Sequence, residues 1–270
     1  MARAGWAGWV LAMFVVSAGC TTAGPGPAPT VSPAPVPEVT RTATGDLAPG
    51  LTAGGIRWPH LLVRAHARTL WRTSYTVESI KSIEAVGSGR RTATLMTGRF
   101  SADKSRYHQT FVERRFRNRS GDRQELFADG ERLFEAIGTG DERRYYLPRA
   151  DLRSPPRSAA FFGNPAQDDT IYVGVKAFET RIVSIDRGRA ETRYRVAGSR
   201  VRLPALLSVA TVGAEVNLLA DPTLAVTVGR TGVVYRYQLR FTAVHDTGEW
   251  RVSHTIRFTD VGSTTVSSPA

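Results

Sequence analysis

The chain has 270 residues, 36 lysines and arginines against 24 acidic residues, and a formal charge of +12. It has a single cysteine, so no disulfide can form within it and the fold must hold by its own core. All but three of the basic residues are arginine; the lysines are Lys81, Lys104 and Lys176. Codon bias of a GC-rich genome, attraction to anionic lipid head groups and nucleic-acid binding are three readings of that charge. The export signal described next argues against nucleic acid.

Residues 1–19 read as a secretory signal peptide. Arg3 is the positive n-region, and Trp6, Trp9, Val10, Leu11, Met13, Phe14, Val15 and Val16 form the apolar run. That run is shorter than the ~20 apolar residues a spanning helix needs. It ends in Ser17-Ala18-Gly19-Cys20, which resembles a lipobox, with Ser17 where a Leu is usual. Cys20 is therefore the expected lipid anchor, on the outer face of the cytoplasmic membrane. Residues 20–49 are rich in Pro, Ala and Thr and have almost nothing to build a core with. Such a stretch stays extended and serves as a tether, reaching up to about 90 Å at ~3 Å per residue.

The folded domain is expected over 50–266, with a short tail at 267–270. One helix follows Trp58-Pro59, where a first-turn proline loses no hydrogen bond. Its apolar face is expected to hold Val63, Ala67, Leu70 and Trp71.

Beyond Thr73 the chain becomes β-like runs separated by turn signals. Strands are expected near 74–86, 91–101, 105–117, 123–129, 131–138 and 142–147. The turns are expected at Gly87-Ser88-Gly89, Ala102-Asp103-Lys104, Ser120-Gly121-Asp122, Asp129-Gly130 and Gly138–Asp141. Further strands fit at 180–186, 190–197 and 223–229. The clearest alternation is Val233 to Phe241, with Tyr235, Tyr237 and Phe241 on one side and Arg236, Gln238 and Arg240 on the other. In the next run Trp250, Val252, His254, Ile256 and Phe258 alternate with polar residues, and Asp246-Thr247-Gly248 joins the two as a hairpin. A period of two with one wet face is the mark of an antiparallel sheet. Residues 150–170 and 203–222 break the rhythm and read as loops or short helices over the sheet, while 170–178 fits a helix turn or a strand equally.

No catalytic constellation is visible. His60 and His66 are six apart and cannot form a helical metal pair. His108, His245 and His254 lack ligand spacing, and His254 reads as a satisfied core histidine. Asp168-Asp169 reads as a solvated loop. No nucleotide-binding or nucleophile-elbow motif occurs, so no enzyme, metal or cofactor is expected. Asn118-Arg119-Ser120 is a glycosylation sequon. The aromatic stripes suit either an ordinary core or the wall of a cavity.

Three segments carry a family resemblance: Gly50-Leu51-Thr52-Ala53-Gly54-Gly55-Ile56, Arg72-Thr73-Ser74-Tyr75-Thr76, and Thr259-Asp260-Val261-Gly262-Ser263-Thr264-Thr265-Val266. With the element order, they resemble the LolA-like lipoproteins of haloarchaea, which are similar in shape to mycobacterial lipid-carrying lipoproteins. The resemblance implies a mainly β, α+β fold: an incomplete antiparallel β-barrel with helices covering its concave face. It also implies a lipid or other hydrophobic ligand held without enzymatic chemistry. The cavity would be lined by Trp71, Phe100, Phe111, Tyr235, Tyr237, Phe241, Trp250 and Phe258. The alternative on the same fold is an envelope sensor or protein-interaction module with a solid core and a protein partner.

Overall fold

The computed structural model describes residues 45–115, 118–137, 144–146, 164–188, 190–207, 218–245 and 248–268. Residues 1–44, which hold the expected signal peptide, Cys20 and most of the expected tether, lie outside the described residues. The compact unit that carries the fold runs Ala43–Ala270.

A two-stranded ribbon, β1 (Leu51–Thr52) and β2 (Gly55–Ile56), precedes α1 (Pro59–Arg72). Six strands then meander outward: β3 (Tyr75–Ala85), β4 (Arg91–Phe100), β5 (Arg106–Arg115), β6 (Asn118–Asp129), β7 (Leu133–Ile137) and β8 (Arg144–Tyr146). Helix α2 (Asp168–Ala177) leads into a second meander: β9 (Phe178–Arg187), β10 (Thr192–Val201), β11 (Leu218–Gly229), β12 (Val234–His245) and β13 (Gly248–Thr259). The spatial order is β8-β7-β6-β5-β4-β3-β13-β12-β11-β10-β9, with every pair antiparallel. The first and last long strands, β3 and β13, thus meet at the centre over ten register pairs, and the sheet is open at β8 and β9. This is the incomplete β-barrel, mainly β with a few helices, that the resemblance implies.

The topology explains where the helices go. The chain leaves the first meander at one edge and enters the second at the other, so the connection holding α2 must cross a face of the sheet. That inner face is apolar. Tyr237, Leu239 and Phe241 of β12 are buried, whereas Arg236 and Arg240 are exposed. Helix α1 buries Leu62, Val63, His66 and Leu70 against the same core. The buried stripe is turned from the expected one: His66 is inside, while Trp71 is 48% exposed.

His66 explains that rotation. Its Nδ1 accepts the Val234 N–H at 3.1 Å, so Nε2 is the donor to the Ala166 carbonyl at 3.0 Å. Its ring meets Phe258 edge-on, with centroids 4.8 Å apart. One imidazole thereby ties α1 to β12 and to the approach to α2, giving a partner to two main-chain groups that would be costly to bury alone.

The quoted motifs have local causes. Gly50 has φ +76, and its carbonyl accepts the Arg57 and Trp58 N–H groups at the entry to α1. Gly55, at φ +115, passes so close to the Thr180 carbonyl of β9 that a Cβ would collide with it. The second and third motifs meet each other: Ser74 O accepts Gly262 N–H at 2.7 Å, and the Thr76 and Thr264 hydroxyls lie 3.0 Å apart.

Three expectations change and one open alternative resolves. Residues 120–122 do not turn; Arg115 pairs with Asn118, so β6 runs through them. Residues 170–177 resolve as helix, and Phe178 opens β9. Asp168-Asp169 form the first turn of α2 rather than a loop, a favourable place for carboxylates beside unpaired helical N–H groups. Strand β11 begins at Leu218 and carries Asp221-Pro222 on a register shift that accommodates the proline.

Candidate functional site: a cleft under helix α2

Helix α2 turns Ile171, Gly174, Val175 and Ala177 into the core. Gln167, at its N-cap, has a left-handed backbone with φ 54, and its side-chain amide donates to the Asn164 carbonyl at 2.9 Å. Between the first turns of α2 and the inner face of β13, β3, β4 and β5 a cleft of about 300 Å³ remains. This volume is at the small end of ligand pockets, which run about 300–1,000 Å³.

The cleft has two characters. Met96, Phe111 and Val173 form an apolar wall. Ser79, Lys81, Thr94 and His254 make it polar on the sheet side, and Asp169 and Thr170 stand on the helix side. Ser79 Oγ and His254 Nε2 lie 2.9 Å apart, both side chains buried. Burial, and secondarily the charge of Lys81, hold the His254 imidazole down at about 4, so it is neutral at pH 7. Burial also lowers the Lys81 ammonium from its ordinary value. Lys81 has no ion-pair partner within 4 Å among the described residues. On α2, burial and then the neighbouring Asp169 charge raise the Asp168 carboxyl, whose Oδ1 is buried without a hydrogen bond.

The Ser79–His254 pair invites an acyl-transfer reading, which the geometry does not favour. A general base works best with a pKa near the working pH, and this imidazole sits well below it. No carboxylate among the hydrogen bonds of the described residues orients its other nitrogen, as a triad requires. The pair satisfies two buried polar groups, as expected for a core histidine at 254. Among the described residues no cluster could hold a metal ion.

Of the eight aromatic residues expected to line a cavity, Phe111 lies in this cleft. Phe100, Tyr237, Phe241 and Phe258 are packed in the core. Phe100 stacks between Tyr75 and Tyr107 at centroid distances of 5.0 and 5.9 Å. Trp250 is half-buried near the start of β13, and Trp71 faces solvent. Tyr235 leaves the inner face altogether: Val228 pairs with Val234 and Thr227 with Arg236, so Tyr235 is the extra residue of a β-bulge. Arg193 covers its ring, the guanidinium carbon 4.1 Å from the centroid. Asn118 opens β6, and its side chain lies outside the described residues. Sequence reasoning missed Lys81, whose position in the β3 alternation (Tyr75, Val77, Ser79, Lys81) places a cation on the inner face.

A family model matches residues 7–270. The chain belongs to a family of unknown function, DUF7537. No curated protein matches it. Among solved structures it is similar to LprF from Mycobacterium bovis, at 11% identity over 78% of this chain and 97% of that one, with a TM-score of 0.35. It is also similar to a DUF1329 family protein from Desulfovibrio piger, at 10% identity over 78% and 93%, TM-score 0.27. A third is a putative outer membrane lipoprotein-sorting protein domain from Vibrio parahaemolyticus, at 8% identity over 77% and 93%, TM-score 0.24. The incomplete-barrel layout of this chain is given by its own strand order.

Proposed function

We propose that this protein is a non-enzymatic, extracytoplasmic lipoprotein, tethered through Cys20 to the outer face of the cytoplasmic membrane. It binds a lipid or other hydrophobic ligand in the cleft under α2. One observation supports the reading: a cleft of about 300 Å³ lies between α2 and the inner face of the sheet. Met96, Phe111 and Val173 offer apolar contact there at about 25 cal/mol per Å² buried. Lys81 and the Ser79–His254 pair offer a polar end. Such a cleft suits one end of an amphiphile better than a whole lipid.

Native mass spectrometry of the protein taken from its host membranes tests this. A bound lipid should be seen, and Met96→Trp, which fills the cleft, should lose it while remaining folded. A lipid retained at full occupancy by that variant would place it elsewhere; no bound hydrophobe in either protein would end the carrier reading.

The packing of Phe100, Tyr237, Phe241 and Phe258 favours a second reading, a protein-interaction module with a mostly solid core. The edge strand β9 exposes Val183 and Ile185, at 54% and 39%, and beyond the β2 contact at Thr180 its outer edge pairs with no strand among the described residues, an edge that can receive a partner's strand. A photo-crosslinker at Val183 that captures one envelope protein would support this over the carrier.

A further inference from the structure

The face of the sheet turned away from the helices gathers arginines. Register aligns Arg195, Thr227, Arg236 and Arg257 in one row across β10, β11, β12 and β13. The three arginines are exposed, and none has an ion pair among the described residues. Arg236 and Arg257 stand directly opposite each other, and like charges so placed weaken a sheet. The row reaches an acid only at Glu78 on β3.

Arg193 joins them. It lies over the Tyr235 ring that the bulge turns outward, and 3.9 Å from Glu191. Arg193, Arg195, Arg236 and Arg257 line a single cleft of about 260 Å³, in which Asp186 is the one acidic side chain among the described lining residues. With Asp186 in the cleft, Glu191 beside Arg193 and Glu78 opposite Arg257, four guanidinium groups still outnumber the carboxylates around it. Guanidinium donors are planar and paired, a geometry that matches phosphate oxygens.

We propose that this cleft binds the phosphate of an anionic phospholipid headgroup, so that the outer face of β10–β13 rests on the membrane surface. Choosing a membrane lipid over a soluble phosphate rests on the tether assigned to Cys20. The test removes that anchor, so the two readings fail separately.

The full chain carrying Cys20→Ser is sedimented with vesicles of phosphatidylcholine alone and of phosphatidylcholine mixed with phosphatidylglycerol. Binding should be stronger to the mixed vesicles and weaken with added salt. Each arginine near an anionic surface is worth about five-fold, so Arg236→Gln with Arg257→Gln should lose roughly twenty-five-fold. The pair Arg236→Lys and Arg257→Lys keeps the charge without the paired donors and should bind between the parent and the glutamine variant, separating charge at the cleft from damage to the fold. Arg64→Gln with Arg68→Gln, two exposed arginines of α1, should change it little. An equal loss in the α1 pair would reduce the effect to net charge and overturn the site. Undiminished binding in the Arg236/Arg257 glutamine variant would do the same. Binding of free glycerol phosphate with no preference for phosphatidylglycerol vesicles would overturn the choice of a lipid.

Discussion

Gly174 of α2 lies directly against the Tyr237 ring of β12: a Cβ at 174 would fall on the phenol carbons and hydroxyl. The glycine lets the helix approach the sheet closely and so sets the roof of the cleft. Gly174→Ala must lift α2 or distort Tyr237, and overpacking of this kind costs about 1–3 kcal/mol. Urea unfolding should show that loss. Tyr237→Phe should cost much less, or stabilise, because the hydroxyl is buried with no hydrogen-bond partner. The double variant should be less destabilised than the sum of the singles, since both changes act on one contact.

Two buried imidazoles predict an acid-labile fold. His66 and His254 are both held at about 4 by burial, against about 6.5 in an unfolded chain. Between those values the unfolded state binds more protons than the folded one, so stability falls as pH drops through the window and is recovered above about 6.5. Each histidine contributes up to about 3 kcal/mol of that loss. Urea midpoints measured from pH 7.5 to 4.5 should fall steadily; flat midpoints would contradict the burial of both rings.

His66 also bonds two main-chain groups. His66→Ala removes the partners of Val234 N–H and Ala166 C=O and opens a cavity, so it should cost about 3–5 kcal/mol. His66→Phe fills the space but leaves both groups unpaired, and should remain destabilised. A calorimetric melt of the two variants against the parent checks the order.

The period-two alternation made most strands legible, because burial on one face and water on the other writes itself into every second residue. It could not show the bulges. Val233 to Phe241 alternates without a break, yet the extra residue at 235 moves Val234 inward and Tyr235 out, and only the β11 register reveals it. The position of His66 was equally hidden, since its partners lie 100 and 168 residues away. Helix α2 was ambiguous because it has only ten residues and no side-chain cap at Gln167. The cleft itself depends on the gap between α2 and the sheet, which no local pattern encodes.

Lys81 and His254 should respond to each other. The Lys81 charge helps depress His254, so Lys81→Met should raise the His254 pKa, read by NMR titration of its ring protons. The same variant removes a half-buried cation that has no ion pair among the described residues, so stability should hold or rise. Affinity for ligands with an anionic end should fall, while that for neutral ones is kept.

The most direct test of the cleft is photolabelling with a diazirine-bearing fatty acid, followed by peptide mapping. Labels concentrated on the strand segments around Lys81, Met96 and Phe111 and on the first turns of α2, and competed away by unlabelled fatty acid, are the predicted result. Labels spread over α1 and the outer strands, with no competition, would contradict a ligand seated under α2.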